Sequence, residues 1–344
     1  MLQKKNILLQ FFLMVLCIFG PLVSVQAADK VVVIPLFGHG KPLKNIVTVA
    51  KSGGKFTDPV AAVNSITDAS ATNPYLVIIA PGVYTLTHTL IMKPWVDVAG
   101  SGENVTKLTG AISNNAGTEG SSLVHSVAHA VLSNLRVENT GGGFYSIGIY
   151  AKGGTIRKVS VKAVDGDTNR AIEIFHSSLI LIDVNASAGF GHQNIGIANY
   201  NAPSVQMNRV VARAIGGSYS LNDGILNSHS QPVMFDVTAE AEGGMTNCGV
   251  RNRYSSPYMR EVTVKAWDGS NNYGIYNEGG TCAPIIQRSS VTGSTYGIYA
   301  INSSGTTLFS QSAISGGSSV SGSAHIKCVA CDDGNGNALN NACQ

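Results

Sequence analysis

Apolar and polar residues alternate in short stretches along most of this chain. Val159, Val161 and Ala163, for example, alternate with Ser160 and Lys162. This period of two is typical of a half-buried β-strand, which turns one face to a core and the other to water. Similar stretches begin at Leu135, Val184, Val210, Val237 and Val262.

A second strand pattern follows each of these stretches and recurs every 23 to 28 residues. Its centres are Gly148, Glu173, Gly196, Gly224, Gly249, Gly274 and Gly297. A repeat of this length indicates stacked structural units, and each unit is too short to contain a crossover helix. Like strands of successive units would then stack in parallel, ~4.8 Å apart. We therefore predict an all-β, right-handed parallel β-helix of about nine to ten coils, with regular coils over residues 132–302.

Placing the repeated phrases in register predicts which side chains face the core. One position is aliphatic in every unit and is predicted to point inward: Ile149, Ile174, Ile197, Ile225, Val250, Ile275 and Ile298. Two residues further on, an inward position holds Asn199, Asn227, Asn252 and Asn277. Stacked amides can hydrogen-bond from coil to coil, so we predict an asparagine ladder.

The same register predicts two outward columns. One contains the repeat centres, so it is glycine in every unit except at Glu173. The other contains Tyr150, Phe175, Ala198, Leu226, Arg251, Tyr276 and Tyr299. A shallow floor beside aromatic rings suits an extended sugar chain. Alternatively, glycine allows close strand stacking and the tyrosines only shield a sheet. The predicted glycan-binding face comprises Tyr150, Glu173, Phe175, Arg251, Tyr276 and Tyr299.

Catalytic chemistry is not predicted on this face. Cleavage of a polysaccharide or its esters needs paired carboxylates, or an acid and a base with separated pKa values. In this register Glu173 has only Gly148 and Gly196 beside it. We therefore expect Glu173 to be structural or solvated and predict no catalytic residue. Arg251 and Arg253 share an outward face and could hold a sugar carboxylate, with solvated arginines as the alternative.

The chain before the repeats predicts a strand, a helix and further strands. Asp58 suits an N-cap and Pro59 the first helical turn, which predicts a helix over 59–67. Strands are predicted at 75–80, 83–92 and 95–98 because glycine-rich turns separate these apolar runs.

This N-terminal region also resembles a known family. The sequence "VTVAKSGGKFTDPVAAVNSI", followed by "YLVIIAPGVYTLTHTLIM" and "VDVAGSGENVTKLTG", is similar to the opening of pectin methylesterases and of the wider pectin-lyase-like superfamily. The resemblance implies a capping helix and first coils over 46–110 that lead into a right-handed parallel β-helix. The family's GxYxE motif ends here in leucine, at Gly82 to Leu86. Its QAV, DFIFG and LGRPW segments and the lyase-type RxPxxR arrangement have no counterpart, so the resemblance implies no catalytic residues.

The first residues have the features of a signal peptide. Lys4 and Lys5 precede an apolar run, and Val25-Gln26-Ala27 offers a cleavage site before Ala28. We predict a signal peptide over 1–27, no transmembrane anchor, and one exported β-helix domain over 28–344. Its terminal coils and cap would occupy 303–344. The destination stays open between the periplasm, the cell surface and the medium.

The charge balance and the cysteine and histidine positions limit which partners and metals the sequence supports. The chain has 23 Lys and Arg against 20 Asp and Glu and no basic cluster, which gives no support to nucleic-acid binding. Cys343 could pair with Cys328 or Cys331, whereas a metal site here would lack a sensible fourth ligand. His125 and His129 have the helical metal-ligand spacing but lie in a strand pattern, so we expect them in surface or turn roles. We predict no metal and no cofactor.

Together these features predict a non-catalytic protein whose partner is a polysaccharide or cell-surface glycan, with an adhesive or surface-structural role. The alternative is a carbohydrate-active enzyme of the same fold, either a pectinesterase-like esterase or a polysaccharide lyase, with a non-standard active site.

Overall fold

A computed structural model of the chain describes residues 45–216, 219–316, 318–320 and 325–344. The predicted signal peptide lies outside these residues. The described part contains a helix, α1 (Pro59–Asn64), and a 3-10 turn at Glu119–Ser121. Its strands are β1 (Asn45–Val49), β2 (Tyr75–Ile79), β3 (Gly82–Thr85), β4 (Leu90–Ile91), β5 (Val96–Gly100), β6 (Thr106–Gly110), β7 (Ser122–Val127), β8 (Val131–Asn139), β9 (Tyr145–Lys152), β10 (Gly154–Val164), β11 (Thr168–Phe175), β12 (Leu179–Gly189), β13 (Gln193–Tyr200), β14 (Val205–Ile215), β15 (Leu221–Ser228), β16 (Val233–Glu242), β17 (Thr246–Arg253), β18 (Tyr258–Arg260), β19 (Thr263–Trp267), β20 (Asn271–Glu278), β21 (Ile285–Gln287), β22 (Ser290–Gly293), β23 (Tyr296–Ile301), β24 (Thr306–Ser310), β25 (Ala313–Ser315), β26 (Ser318–Val320) and β27 (His325–Val329).

These strands form two sheets, one of 17 strands and one of ten. Strands of successive coils pair in parallel, as β9 with β11, β11 with β13 and β13 with β15. The chain is therefore a parallel β-solenoid of about ten coils, which confirms the predicted fold class. Its right-handed winding stays a prediction, made from the preference of parallel crossovers.

Each regular coil has three faces because its longest strand is bent. In the five strands β8, β10, β12, β14 and β16, one residue has a left-handed backbone conformation and divides the strand in two. These residues are Asn134, Lys158, Asp183, Arg209 and Asp236. In later coils the two halves are separate strands, such as β18 and β19. The halves before the bend form the first face, the halves after it form the second face, and the ten-stranded sheet forms the third face.

The aliphatic column of the third face packs into the core, as predicted. Its members pair directly from coil to coil and all are fully buried: Ile149, Ile172, Ile197, Ile225, Val250, Ile275 and Ile298. Burial of an isoleucine side chain contributes roughly 1.5–3 kcal/mol, so this column is a main source of stability. In the coil of β11 the member is Ile172, whereas the sequence register predicted Ile174.

The glycine column does not face outward, and the prediction of an exposed glycine floor was wrong. A Cβ added to Gly148 would lie 2.4 Å from Cγ1 of Val161, a core residue of the second face. A Cβ on Gly249 would lie 2.3 Å from Cγ1 of Val264. Glycine is needed because two successive residues, the glycine and the following aliphatic residue, both point into the core.

The predicted asparagine ladder is present on the inner side of the third face. Asn199 donates to Asn227 at 2.7 Å, Asn227 to Asn252 at 2.9 Å and Asn252 to Asn277 at 2.8 Å. The ladder ends where Asn277 donates to Thr307 at 2.8 Å. These amides satisfy one another where water cannot reach them.

A second ladder, which the sequence register did not identify, stands at the other end of the same strands. It comprises Asn169, Asn194, Asn222, Asn247 and Asn272, linked by amide hydrogen bonds of 2.8–3.0 Å. Each member precedes the glycine column by two residues. The two ladders therefore fix the register of the third face at both ends of its strands.

The N-terminal elements are close to the predicted ones, with different ends. The Asp58 carboxylate accepts a hydrogen bond from the Val60 N–H at 2.9 Å and caps α1, with Pro59 at its first position. The helix ends at Asn64 instead of residue 67. The predicted strand 83–92 is interrupted, so that β3 and β4 are separate, and β5 begins and ends one to two residues later than predicted.

A disulfide joins Cys328 to Cys343 and holds the C-terminal tail against the last coil. This is one of the two pairings that the sequence allowed, and Cys331 is left as a buried free thiol. Leu339 of the tail packs against the core cluster to which both disulfide cysteines belong.

Candidate functional site

The outward side chains of the third face form two columns, which we call the outer columns. The first comprises Ile147, Arg170, Ile195, Asp223, Cys248, Tyr273 and Tyr296. The second comprises His125, Tyr150, Glu173, Ala198, Leu226, Arg251, Tyr276 and Tyr299. With strands ~4.8 Å apart, the second column extends for about 34 Å along the solenoid.

Glu173 stands two positions away from its predicted place. It pairs with Tyr150 and Ala198, whereas the sequence register set it beside Gly148 and Gly196. Phe175 accordingly pairs with Tyr200, outside the two outer columns. A shift of two residues keeps the direction of a side chain, so Glu173 and Phe175 still face outward, but Glu173 now belongs to the aromatic column.

Glu173 is buried and paired with Arg170. The Arg170 Nη1 donates to the Glu173 Oε2 at 2.8 Å, and only 3% of Glu173 is exposed. The guanidinium of Arg170 lies 5.2 Å from the ring centres of both Tyr145 and Tyr200, so it is held between two aromatic faces. Burial raises the pKa of Glu173 above its ordinary value, and the charge of Arg170 opposes this shift.

A second buried ion pair lies further along the outer columns. The Arg251 Nε is 3.0 Å from the Asp223 Oδ1, and Asp223 is 1% exposed. Arg251 also donates to the Cys248 sulfur at 3.4 Å. Burial raises the pKa of Asp223 and raises that of the Cys248 thiol to about 12. Cys248 is therefore a protonated, unreactive thiol at neutral pH.

Tyr200 stands between the two ion pairs. It lies in β13, one coil from Glu173 and one coil from Asp223. Burial raises the pKa of Tyr200, and the charges of both carboxylates raise it further, while the Arg170 charge lowers it. Two carboxylates, two arginines and one phenol thus form a continuous charged cluster in the middle of the third face.

An unpartnered histidine begins the second outer column. His125 is 9% exposed, and neither of its ring nitrogens makes a hydrogen bond within the described residues. Its ring meets the Tyr150 ring edge-on, with 5.6 Å between centres. Burial lowers the pKa of His125, so the ring is neutral at pH 7, whereas burial and the Glu173 charge raise the pKa of Tyr150 to about 12.

His125 therefore does not have the surface or turn role that the sequence predicted. Its neighbour in sequence, His129, does lie in a turn, with a left-handed backbone and its ring stacked 4.4 Å from Trp95. Across the described ranges there is no group of three or more His, Cys, Asp or Glu side chains that could hold a metal ion.

Four tyrosines end the outer columns. The rings of Tyr276 and Tyr299 stack with 5.3 Å between centres, and those of Tyr273 and Tyr296 are parallel at 6.3 Å. The Arg251 guanidinium lies 5.3 Å from the Tyr276 ring and joins this tyrosine cluster to the charged cluster.

The structure thus brings Tyr150, Glu173, Arg251, Tyr276 and Tyr299 into one column and leaves Phe175 beside it. Arg251 and Arg253 each face a carboxylate, since Arg253 lies 3.2 Å from Glu278. Sequence reasoning missed most of the first outer column: Arg170, Asp223, Cys248, Tyr273 and Tyr296. For the last four a signal was available, because each directly precedes a residue of the glycine column, whereas Arg170 precedes Ala171.

Comparison with solved structures returns proteins of similar architecture. A pectin methylesterase from carrot is 13% identical, with a TM-score of 0.42 and 88% of each chain covered. A pectin methylesterase from Aspergillus niger is 13% identical, with a TM-score of 0.46 and coverage of 84% of this chain and 87% of that one. The A-module of a mannuronan C-5 epimerase from Azotobacter vinelandii is 11% identical, with a TM-score of 0.45 and coverage of 79% and 87%.

These similarities concern the fold, and no activity is assigned from them. No protein-family model and no curated protein matches the chain. Within the described residues, no helix has the length and apolar character that crossing a membrane requires.

Proposed function

We propose that the chain is an exported, non-catalytic protein that binds an extended polysaccharide along the outer columns of the third face. One observation carries the proposal. Aromatic side chains stand at both ends of one column, with Tyr150 at one end and the pair Tyr276 and Tyr299 at the other. The residues between them are Glu173 and Arg251, which are ion-paired, and the small or aliphatic Ala198 and Leu226.

The length of this line favours a polymer over a small ligand. Six strand spacings of ~4.8 Å separate Tyr150 from Tyr299, or about 29 Å. Tyrosine offers an apolar ring for the C–H groups of a sugar and a hydroxyl for its polar groups.

Export rests on the signal-peptide pattern of residues 1–27, and the destination is open between the periplasm, the cell surface and the medium. An adhesive or surface-structural role would use the same face. The near balance of 23 basic and 20 acidic residues supports a glycan as the partner more than a nucleic acid.

Binding of the protein to an array of plant, algal and bacterial polysaccharides tests the proposal. The triple variant Tyr150→Ala, Tyr276→Ala and Tyr299→Ala should lose binding while staying folded at the assay temperature. Its thermal stability should be lower than that of the parent, because Tyr150 is only 4% exposed. A matched control removes three tyrosines outside the outer columns: Tyr219→Ala, Tyr254→Ala and Tyr258→Ala. Equal binding by the two triple variants, or no binding by the parent to any polysaccharide, contradicts the proposal.

The enzyme alternative is favoured by His125 and Tyr150. A neutral histidine can accept a proton, and a protonated tyrosine beside it can donate one, which are the two roles of general acid–base chemistry. Tyr150 adjoins the Arg170–Glu173 pair on the next strand, and His125 lies one strand further away. An elimination reaction on an acidic polysaccharide, as in a lyase, or hydrolysis of its esters would use such a set.

Turnover measurements separate the two functions. Lyase activity would appear as the ultraviolet absorbance of an unsaturated product, and esterase activity as released alcohol. If the protein is an enzyme, His125→Ala, Tyr150→Phe and Glu173→Gln each abolish turnover, while His192→Ala, an exposed histidine, does not. Absence of turnover on pectin, alginate and their esters, together with binding, supports the non-catalytic function.

A further inference from the structure

The second face holds a cleft that the outer columns do not include. It has a volume of about 410 Å³ and lies across the strands β14, β16 and β19. Two rows of paired residues line it. Arg213, Glu240 and Lys265 form one row, and Ile215, Glu242 and Trp267 form the other. We call it the tryptophan cleft.

The lining combines an apolar surface with both kinds of hydrogen-bonding group. Trp267 and Ile215 are half-buried and supply the apolar part. Arg213 and Lys265 are donors, while Glu240 and Glu242 are acceptors. A sugar ring matches this combination, because it has an apolar C–H face and hydroxyls that both donate and accept hydrogen bonds.

The charges of the lining predict an uncharged ligand. Two cationic and two anionic side chains cancel, and the Arg213 Nε already donates to the Glu240 Oε2 at 2.6 Å. A ligand with its own carboxylate would be repelled by Glu242 as well as attracted by Lys265, so its charge would add little to the free energy of binding. A neutral sugar requires no counter-charge and would use the carboxylates as acceptors.

A second, more polar cleft is lined by residues that follow those of the first cleft in the chain. It has a volume of about 440 Å³, and its lining includes Gly243, Gly244 and Gly269. Gly243 directly follows Glu242 in the chain, and Asp268, which also lines this cleft, directly follows Trp267. Glycines have no side chain that would obstruct a ligand, so a chain of more than one sugar could extend from the indole into the second cleft.

We propose that the tryptophan cleft is a binding site for a neutral oligosaccharide, with the sugar at its centre stacked on the indole of Trp267. This site lies on the second face and is independent of polysaccharide binding on the third face. It gives the solenoid a second binding surface for glycans.

Intrinsic fluorescence of the full-length protein tests the site directly. The chain contains two tryptophans, so in a Trp95→Phe variant Trp267 is the sole tryptophan and reports on its own cleft. Neutral hexasaccharides of glucose, mannose and galactose should be titrated, with a hexamer of galacturonic acid as the charged probe. We expect a saturable shift of the emission with at least one neutral hexasaccharide, unchanged by added salt because no ion pair forms.

Calorimetric titration of variants then locates the contact. Trp267→Ala should weaken binding of the neutral hexasaccharide at least about tenfold, a change of about 1.4 kcal/mol, whereas Trp267→Phe should retain part of it. Tyr276→Ala with Tyr299→Ala, on the third face, should leave this binding unchanged even if it abolishes binding there. Thermal unfolding should confirm that each variant is folded.

Three results would overturn the inference: no response to any neutral hexasaccharide in the folded protein, equal or stronger binding of the galacturonic acid hexamer, or unchanged affinity in folded Trp267→Ala. Each is independent of the outcome on the third face.

Discussion

The Arg170 guanidinium and the Glu173 carboxylate point to the same side of β11 although they are three residues apart, and their atoms approach to 2.8 Å. In a flat strand such residues face opposite sides. Here Ala171 and Ile172 are both fully buried in the core, so the strand bends between them and the alternation is interrupted once. The same bend brings Arg251 within 3.4 Å of Cys248, also three residues apart.

Removing one partner of the Arg170–Glu173 pair should destabilise the protein, whereas replacing both partners by apolar residues should not. Removing one partner leaves a buried charge, so Arg170→Met or Glu173→Leu alone should lower the free energy of unfolding by about 3–5 kcal/mol. The double variant should lie within about 1–2 kcal/mol of the parent, because both buried charges are then gone. Urea unfolding of the four proteins measures this coupling.

An exposed pair provides the control for this cycle. Arg209 and Asp183 pair near the surface, so replacing either by alanine should cost at most about 1 kcal/mol. Additive effects of the two substitutions at Arg170 and Glu173 would show that the residues do not interact in solution.

Gly249 should resist even the smallest side chain, although the same column holds Ala171 in the coil of β11. In Gly249→Ala the new Cβ would overlap Cγ1 of Val264 at 2.3 Å, and overpacking of this kind costs about 1–3 kcal/mol. Adding Val264→Ala removes the overlapping methyl group, so the effect of Gly249→Ala should be smaller in that background. The midpoint of thermal unfolding of each variant provides the measurement, and equal effects in both backgrounds would contradict the packing argument.

The fold could be predicted from the sequence because its main signals repeat. Strand alternation and the aliphatic column recur in each unit, and the ladder at Asn199 recurs in four successive units. Each repeat independently supports the same parallel stacking. The bend in the strand has no such signal. Alternation alone predicts that Gly148 faces outward, whereas the structure turns both it and Ile149 inward.

The site was predicted only in part for the same reason. Tyr150, Arg251, Tyr276 and Tyr299 fall in units whose centre is glycine, and their register was correct. In the unit of β11 alanine replaces glycine at position 171, so the sequence register places Glu173 at the centre, two residues from its position in the structure. Pairing between non-adjacent residues, such as Asp223 with Arg251, depends on the stacking of coils and could not be predicted from one unit.

Loss of one amide should weaken the whole asparagine ladder. Asn227→Ala leaves the Asn199 amide without an acceptor and the Asn252 carbonyl without a donor. Each unsatisfied buried group costs about 1–3 kcal/mol, so we expect a loss of about 2–6 kcal/mol in the free energy of unfolding. Asn185→Ala, on the exposed side of β12, should change it by less than about 0.5 kcal/mol. Similar effects of both substitutions in urea unfolding would argue against the ladder.

The C-terminal tail should become less ordered in acid, because protonation of Asp333 weakens its hydrogen bonds. Its carboxylate accepts hydrogen bonds from the Asn337 side chain at 2.7 Å and from the Asn335 N–H at 2.8 Å, and these lower its pKa from 3.8 to about 2. A pKa that is lower in the folded state contributes stability above the unfolded value, and this contribution is lost as the pH falls. We therefore expect the loop over 333–337 to loosen between about pH 4 and pH 2.

Amide resonances of Asn335 and Asn337, followed by NMR from pH 6 to pH 2, would show this transition. Asp333→Asn should remove it, because the amide does not titrate in this range. A midpoint near pH 4 in the parent would mean that the hydrogen bonds to Asp333 are not formed in solution.

The thiol of Cys248 should not react in the folded protein, although an arginine lies beside it. Burial raises its pKa to about 12, so at pH 8 only about one molecule in ten thousand carries the thiolate, which is the reactive form. Cys282 and Cys331 are also buried. In a Cys17→Ser variant, Ellman's reagent should therefore detect no thiol in the native state and three in denaturant, since the disulfide withholds the other two. The contradicting result would be rapid reaction of one thiol in the native state that is lost in Cys248→Ser. It would show that solvent reaches the Asp223–Arg251 pair. The charged cluster would then be an accessible site, and not a buried support for the outer columns.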